Sequence, residues 1–413
     1  MDFHGRRRLP CNSNGRSLYS RQHTGDSLRI FDTIVIGGGA IGLSIAYELK
    51  LRAPKMKIAV LDKGQCGREA SWAAAGMLVP ELEWDDTNTD LPRSFFNLSI
   101  ESLLIFEDFI RQLEHVSGVD CELRKEGILK LLAAGESPDS WLERYAGLGV
   151  HAKYWDMDES EKKEPALAEG ITGIHFPNFF QIDNRKLVTA LVSACKALEV
   201  EFFDYYPMLD ARLQNDAIES VECDKDSFSA AVYVLAAGAW SSVFSTLKEV
   251  VPEVRPVKGQ MSMLQMPNAK FVRYTGLWKN FYYVPRNDGR ILIGSTVEDA
   301  GFMKTVSDHV IQSFHDTLES VIPNSVFFSP LDKWSGLRPA TPDLYPALGS
   351  TRLGNLKIAT GHYRNGILLT PITARLISEI VAGEPPSPLI QPFTPLRFFK
   401  EMAATRNGTA GRV

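Results

Sequence analysis

The chain has 413 residues and a formal net charge of −5; this length allows two domains, and the acidic balance argues against the basic surface that binds nucleic acid. No run of about 18 apolar residues is present, so no integral membrane segment is predicted. The five cysteines form no C-x-x-C pair, which argues against a metal site or a disulfide framework and favours a reducing compartment, the cytoplasm.

The first segment, residues 1–29, is rich in Arg and Ser and has no continuous apolar stretch. Such a composition cannot bury enough apolar surface to fold, so we expect a disordered extension. Its basic character is compatible with an organelle targeting peptide, although Asp2 and Asp26 are unusual in one. A tail without function or an incorrectly assigned translation start is the alternative.

A nucleotide-binding motif comes next. Residues 33–36 form a short apolar run that predicts a buried parallel strand, and apolar residues at helical spacing follow it. Between them Gly37, Gly39 and Gly42 make G-x-G-x-x-G, a turn that brings the backbone close to a pyrophosphate. A second apolar run ends at Asp62, about 20 residues after the last glycine, where an acid can bind a ribose diol. The motif predicts a Rossmann-like domain that binds FAD or NAD.

Two further segments favour FAD over NAD. Residues 67–80, "GREASWAAAGMLVP", are small and nearly uncharged, so their backbone can lie against a flat ring system. A tightly packed helix is the alternative, because alanine is a good helix former. Residues 230–242, "AAVYVLAAGAWSS", predict a buried strand that runs into a turn containing Gly238. This stretch resembles the strand that rejoins the first sheet in large flavin-binding folds, which implies the same position here.

The middle of the chain predicts a second domain. "FFNLSIESLLIFEDFI" has apolar residues at helical spacing, and "FYYVPRNDGRILIGS" predicts a hairpin with Asp288 and Gly289 in its turn. In this hairpin Tyr282 and Tyr283 point to opposite faces, because side chains alternate along a strand. One of them can therefore face a cavity while the other packs in the core.

Two arginines occur in apolar surroundings. Arg338, in "SGLRPATPD", can bind a carboxylate through two parallel hydrogen bonds, or it can form an internal ion pair with an acid such as Asp343. Arg364, in "GHYRNGILL", is expected to be buried and therefore to need an anionic partner. A helix is expected to begin near Pro371. His362 could serve as a base, but a lone histidine is more often structural.

Several motifs together resemble the D-amino acid oxidase superfamily of FAD enzymes, and within it the glycine oxidases that serve thiamine biosynthesis. They are "VIGGGAIGLSIAYEL", "ASWAAAGML", "YYVPRNDGRILIGST", "GLRPATPD" and "GHYRNGILLTP". The resemblance implies an α/β fold, α+β overall, with a Rossmann-like FAD-binding domain and a second, mainly antiparallel-sheet substrate domain. The expected FAD-binding domain comprises residues 30–84, 156–252 and 336–390, the substrate domain residues 85–155 and 253–335, and a tail residues 391–413.

The resemblance also implies the roles of individual residues. Arg338, Tyr282 and Arg364 would hold the carboxylate of a small amino acid, glycine above all, while a hydride passes from its Cα to flavin N5 and O2 reoxidises the flavin to give H2O2. No protein acid or base is required, and no metal. The residues expected to bind FAD are Gly37, Gly39, Ala40, Ile41, Gly42, Asp62, Lys63, Ala70, Ser71, Ala75, Gly76, Met77, Met208, Gly238, His362, Tyr363, Arg364, Asn365, Gly366, Ile367 and Leu368.

Two departures from the family pattern leave the substrate open. Asn280 stands where a glycine oxidase is expected to have His, and Asp62 stands where Glu is commoner. Sarcosine or small D-amino acids are therefore alternative substrates. A dehydrogenase that passes electrons to a quinone and a non-catalytic flavoprotein are the alternative classes. No Cys or His occupies the positions of covalent flavin attachment in sarcosine oxidases, so we expect non-covalent FAD, and family members suggest a homotetramer.

Overall fold

The computed structural model of the chain describes residues 28–80, 90–133 and 135–403. The extension predicted for residues 1–29 lies outside this part, except for Leu28 and Arg29, which begin the first strand. The expected tail is described as far as residue 403, where two 3-10 helices, Pro388–Phe393 and Pro395–Ala403, end the chain's described part.

Eight α-helices and eighteen strands alternate through the described residues. The helices are α1 (Ala40–Arg52), α2 (Ala70–Ala73), α3 (Leu91–Ser117), α4 (Pro138–Ala146), α5 (Met157–Lys163), α6 (Asn184–Ala197), α7 (Asp308–Val321) and α8 (Thr370–Val381). The strands are β1 (Leu28–Ile36), β2 (Ile58–Leu61), β3 (Met77–Leu78), β4 (Ile128–Leu131), β5 (Lys153–Trp155), β6 (Gly173–Phe176), β7 (Phe180–Gln181), β8 (Glu201–Phe203), β9 (Met208–Gln214), β10 (Ala217–Cys223), β11 (Ser227–Leu235), β12 (Arg255–Gln265), β13 (Thr275–Trp278), β14 (Phe281–Pro285), β15 (Arg290–Gly294), β16 (Ser329–Ala340), β17 (Ala347–Ser350) and β18 (Leu356–Thr360).

The first sheet has the strand order β17-β18-β11-β1-β2-β8, with β10 and β9 attached beyond β11. Its central strands are parallel: β1 pairs with β2 and β11, β2 with β8, and β11 with β18. Ile34, Val35 and Val234 are fully buried because helices cover the sheet on the side of α1, and other chain segments cover the second side. The Rossmann-like part of the predicted fold is confirmed, including the return of residues 230–242 to the first sheet.

The second sheet has the order β16-β12-β15-β14-β13-β4-β6-β5 and is antiparallel except for the pair β13 and β4. Helix α7 packs on it and contributes Phe314 and Leu318 to a core that it shares with Ile291 and Ile293 of β15. A short pair, β3 with β7, lies between the two sheets. The mainly antiparallel second sheet is thus confirmed, as is the hairpin β14-β15.

Three elements lie elsewhere than the expected boundaries suggest. Strand β6 belongs to the second sheet although residues 156–252 were assigned to the first domain, and β16 continues in the second sheet past residue 336. Helix α3 packs on α6 and α8 and shares the core of α1, although residues 85–155 were assigned to the second domain. Apolar periodicity establishes that a helix has a buried face, but it does not identify the sheet or helix that covers it. The division into two domains remains a prediction.

Candidate active site

A cavity of about 620 Å³ lies between the two sheets and receives the carboxyl ends of β1 and β2. All three predicted substrate-binding residues, Tyr282, Arg338 and Arg364, line it. The predicted cofactor-binding residues that line it are Gly37, Gly39, Ile41, Asp62, Lys63, Ala70, Ser71, Ala75, Gly76, Met77, Met208, Gly238, His362, Tyr363, Arg364, Asn365, Gly366 and Ile367.

Three predicted cofactor-binding residues are not part of the cavity lining. Ala40 is buried and its N–H donates to Ser71 Oγ at 2.9 Å. Leu368 is also buried, and its carbonyl accepts a hydrogen bond of 2.6 Å from a serine of α3. A Cβ at Gly42 would lie 1.9 Å from the Gly37 carbonyl oxygen. These three residues pack against residues next to the cavity and do not face it.

The start of α1 forms one end of the cavity. Gly37 has φ +110°, and a Cβ there would lie 2.3 Å from the carbonyl oxygen of Ala236, so this turn requires glycine. Gly39 precedes the helix without a capping side chain, and the first turn has no acidic residue. The positive end of the helix is therefore free to bind an anion such as a pyrophosphate.

Asp62 follows β2 next to this helix start. Its Oδ2 accepts the Gly38 N–H at 2.8 Å and its Oδ1 accepts the Gly64 N–H at 2.9 Å. Burial raises the pKa of the Asp62 carboxyl, and the two backbone donors partly offset this. Because its position is fixed by the backbone, the carboxylate can accept hydrogen bonds from a ribose diol with its remaining lone pairs.

A cluster of ion pairs and aromatic contacts that the sequence did not reveal, here called the clasp, lies at the cavity beside Asp62. Glu69 binds Lys63 at 2.5 Å and also binds Lys304, which comes from the loop after β15. The Lys63 ammonium lies 3.9 Å from the centroid of Trp240, whose ring contacts Phe302 of the same loop. No local pattern predicts the clasp, since its residues come from four separate segments.

The small-residue segment combines both of its proposed conformations. Residues 70–73 form the single helical turn α2, and the helix ends at Ala74, which has an extended backbone. The backbone N–H groups of Ala75 and Gly76 have no acceptor among the described residues, and both residues line the cavity. The segment therefore offers a wall of small side chains with unused donors, as expected for a surface against a polar ring.

Arg338 lies over Gly259 at the opposite end of the cavity. Its Nη2 donates to Ser295 Oγ at 2.7 Å and its Nη1 donates to the Thr296 carbonyl at 2.9 Å. The alternative of an ion pair with Asp343 is wrong, because Asp343 binds Arg397 at 2.8 Å. Within the described part of the chain, no carboxylate lies within 4.0 Å of the Arg338 guanidinium. The structure thus presents an oriented cation to the cavity.

The two tyrosines of β14 face opposite sides, as predicted. Tyr283 is fully buried in the core under α7, and its hydroxyl has no hydrogen-bond partner among the residues that the structure describes. Tyr282 lines the cavity and its hydroxyl lies 3.0 Å from Met261 Sδ. Since a thioether is a weak acceptor, the Tyr282 hydroxyl can exchange this contact for a ligand oxygen.

Arg364 is exposed, and the expectation that it is buried was wrong. The backbone turns sharply here, with φ +74° at Gly361 and +47° at Tyr363. This turn places His362 in the interior and Arg364 at the rim of the cavity, where its guanidinium lies 5.6 Å from the Tyr363 ring centroid. Helix α8 begins at Thr370 with proline in its first turn, as predicted.

His362 is unsuited to act as a base. Its side chain is buried and its Nε2 lies 3.1 Å from Thr373 Oγ1. Burial lowers the pKa of His362 to about 3, so the imidazole is neutral at physiological pH and binds a proton weakly. The structure supports the structural role that was considered for it.

The roof of the cavity contains residues that sequence reasoning missed. Lys130 of β4, Trp141 and Arg144 of α4, and Phe176 of β6 all line it. The Trp141 N–H donates to a Glu136 carboxylate oxygen at 2.7 Å, which fixes the indole. Phe176 joins the others because β6 pairs with β4 in the second sheet, and this long-range pairing has no local signal in the sequence.

Comparison with known proteins identifies the family. Residues 32–380 match the model of a protein family described as FAD dependent oxidoreductase. The chain belongs to this family. Its cofactor is FAD, and the open helix end at Gly39, the fixed carboxylate of Asp62 and the unused N–H groups of Ala75 and Gly76 are features that fit a pyrophosphate, a ribose and a flavin ring respectively.

Several named proteins are similar to this chain over most of its length. The bifunctional protein ThiO/ThiG of Synechocystis sp. is 35% identical over 89% of this chain. Glycine oxidase of Geobacillus kaustophilus is 30% identical over 88% of this chain and 96% of its own length. The crystal structure of glycine oxidase from Geobacillus kaustophilus superposes with a TM-score of 0.82 at 29% identity, covering 89% of this chain and 99% of that one. The chain spans about half the length of its bifunctional relatives, 54% in the Synechocystis protein.

Three further observations concern metal ligands, membrane-spanning helices and cysteines in the described ranges. No group of three or more His, Cys, Asp and Glu side chains there could hold a metal ion. No helix in these ranges combines the length and the apolar character needed to cross a membrane. The four cysteines that the ranges include, Cys66, Cys121, Cys195 and Cys223, are free thiols.

Proposed function

We propose that this protein is an FAD-dependent amino acid oxidase that deaminates glycine. The observation that supports it best is the Arg338 guanidinium, held by Ser295 and Thr296 without a carboxylate partner in the described part of the chain and directed at the cavity. A fixed planar cation suits the carboxylate of an amino acid. Relatives named glycine oxidase, at about 30% identity over nearly their whole length, support the same substrate.

Substrate binding is assigned to three side chains. Arg338 would form two parallel hydrogen bonds with the carboxylate, Tyr282 would donate its hydroxyl to one oxygen, and Arg364 at the rim would attract the anion. The chemistry that FAD would supply when bound is a two-electron oxidation of the substrate at Cα by hydride transfer, with O2 as the final electron acceptor and H2O2 as the product. The chain contributes position above all, since His362 is neutral and no other acid or base is assigned.

The site also accounts for the expected form of the cofactor. Among the described residues that line the cavity there is no cysteine, and the histidine there, His362, bonds to Thr373, so we assign non-covalent FAD. Helix α8 follows directly on the cavity-lining loop, and its positive end favours negative charge on the reduced cofactor.

The product would be an imine, which water hydrolyses to ammonia and glyoxylate. The relatives named ThiO/ThiG support a role in supplying the imine for thiamine thiazole synthesis. The free thiols of the described cysteines are compatible with the cytoplasm as compartment. A homotetramer remains a prediction, which sedimentation of the purified protein tests.

Sarcosine or a small D-amino acid is the alternative substrate, and Asn280 is the observation that favours it. Asn280 lines the cavity next to Lys279 and Phe281, at the position where His was expected for a glycine oxidase. The shorter side chain leaves room for a methyl group on the amine or on Cα. A dehydrogenase that reduces a quinone differs only in the electron acceptor.

Anaerobic reduction tests these alternatives directly. The purified holoprotein is mixed with glycine, sarcosine or D-alanine, the loss of the oxidised flavin band is followed, and air is then admitted. Fast bleaching by glycine with return of colour and H2O2 on aeration is the expected result. Faster bleaching by sarcosine or D-alanine would identify that compound as the substrate in place of glycine. Bleaching without return of colour in air would identify a dehydrogenase, and no bleaching by any of the three would refute the assignment as an oxidase of small amino acids.

A further inference from the structure

The largest of the fully buried side chains in the described structure is that of Arg286, in the turn of the β14-β15 hairpin. It is 2% exposed, and burial lowers the pKa of its guanidinium to about 10, so it remains charged at neutral pH. The nearby Asp183 is bound to Arg290 at 2.9 Å. Arg286 itself forms no ion pair within 4.0 Å among the described residues. Retaining an unpaired cation in an interior is costly unless its hydrogen bonds are satisfied.

Arg286 satisfies its donors by reaching out of the second sheet. Its Nη1 donates to Gln181 Oε1 at 2.6 Å, and its Nη2 donates to the Ala75 carbonyl at 2.8 Å and to Asn184 Oδ1 at 3.2 Å. Asn184 in turn donates to the Ser71 carbonyl at 2.8 Å. The guanidinium therefore connects the hairpin to the small-residue segment that lines the FAD cavity.

The other carbonyls of this segment are held in the same way. Asn184 also binds the Trp72 carbonyl at 3.0 Å, Trp334 Nε1 binds the Ala73 carbonyl at 3.0 Å, and the Ile182 N–H binds the Gly76 carbonyl at 2.9 Å. A trans peptide points its C=O and the following N–H in opposite directions. Because Arg286 holds the Ala75 carbonyl, the next N–H, that of Gly76, is aimed away from Arg286.

Gly76 carries independent signs of this arrangement. It has φ +75°, and a Cβ there would lie 2.0 Å from the Ile182 carbonyl oxygen and 3.2 Å from Arg286 Nη2. The residue lines the cavity, and its N–H has no acceptor among the described residues. A side chain at this position would displace the guanidinium or the backbone at Ile182, which directly follows β7.

We infer that Arg286 is a positioning residue that directs the Gly76 N–H at the ring system of bound FAD and so sets the affinity for FAD and the reduction potential of the flavin. A donor aimed at the ring favours the reduced form, which carries the additional negative charge. The inference rests on the family's cofactor and is independent of the substrate proposed above.

The experiment compares the holoprotein with Arg286→Met. Reductive titration with dithionite and a reference dye gives the midpoint potential, and flavin fluorescence gives the dissociation constant of FAD; neither needs an amino acid substrate. We expect FAD binding at least tenfold weaker and a midpoint potential lower by about 30 mV, which is a tenfold change for a two-electron couple. A failure of glycine to reduce the flavin would leave these results unaffected.

Arg290→Gln is the matched control, because it removes a positive charge from the same hairpin without a contact to the small-residue segment. Wild-type values in this control and shifted values in Arg286→Met are the expected result. Unchanged values in Arg286→Met, or equal shifts in both variants, would overturn the inference.

Arg286→Lys provides a second measurement if the methionine variant does not fold. Lysine keeps the charge but loses the planar fork that binds Gln181 and Ala75 together. We expect the potential and the FAD affinity of Arg286→Lys to remain below the wild type. Full recovery with lysine would mean that charge alone is responsible, and the role in directing the Gly76 N–H would be wrong.

Discussion

Replacement of Arg338 by methionine is the most direct test of the substrate site. A guanidinium has five N–H donors, and the structure uses two strong hydrogen bonds, to Thr296 and Ser295, to hold it. Enough donors remain for a two-point contact with a carboxylate. A hydrogen bond to a charged group contributes about 1.5–3 kcal/mol, so loss of the pair should cost about 3–6 kcal/mol, roughly 100-fold to 20,000-fold in binding.

Steady-state H2O2 formation with glycine measures this loss as a rise in KM, or as a fall in kcat/KM if saturation is not reached. The flavin spectrum should stay that of the wild type, since Arg338 has no part in the predicted FAD contacts. Arg338→Lys should recover a fraction of the binding, because charge remains but the fork is lost. Arg111→Met, an exposed site on α3, controls for net charge. A KM for glycine within threefold of the wild type in Arg338→Met would refute the assignment.

Two other perturbations test the cofactor wall and the interior. Gly42→Ala should yield protein without bound flavin, because the new Cβ would lie 1.9 Å from the Gly37 carbonyl oxygen, whereas Gly354→Ala, with open space around it, should retain FAD; absorbance at the flavin band of the purified variants decides. His362 has a folded-state pKa of about 3 and an unfolded value of about 6.5. Between these two values the unfolded state binds more protons than the folded state, so the free energy of unfolding should fall as the pH drops below about 6.5, by about 1.4 kcal/mol per pH unit. Urea denaturation at pH 7 and pH 5 should show this loss in the wild type and a smaller one in His362→Gln; equal losses would contradict the neutral buried imidazole.

The glycine motif and the opposite orientations of Tyr282 and Tyr283 could be predicted because each depends on local geometry, whereas the choice of Tyr282 for the cavity came from the family resemblance. The turn at Gly37 and the packing at Gly42 restrict which residue the backbone permits, so the sequence carries the signal within a few positions. The opposite faces of Tyr282 and Tyr283 follow from strand alternation alone. The same holds for the helix start near Pro371.

Exposure and long-range neighbours could not be predicted in this way. Arg364 precedes an apolar run, yet the backbone turn at Tyr363, which has a positive φ, directs the Arg364 side chain outward. No composition rule predicts this exposure. Lys130 of β4 and Phe176 of β6 line the same cavity because these two strands pair in the second sheet, and the sequence does not reveal which strands pair. The partner of α3 was likewise undetermined, since amphipathicity specifies a buried face without its neighbour.

The candidate site separates its two tasks between two kinds of group. The contacts assigned to FAD come largely from backbone, at the start of α1 and in the small-residue segment. Two of the three side chains assigned to the substrate lie on the second sheet, Tyr282 on β14 and Arg338 on β16, and the third, Arg364, lies in the loop before α8. Strand β12 contacts the substrate-binding side chains Arg338 and Tyr282. Gly259 makes room for Arg338, and Met261 contacts the Tyr282 hydroxyl. Side chains can be exchanged without moving the backbone that surrounds the cofactor. Substitutions at Asn280 or on β14 should therefore change which amine fits while FAD binding persists, whereas changes at Arg286 should act on the cofactor first.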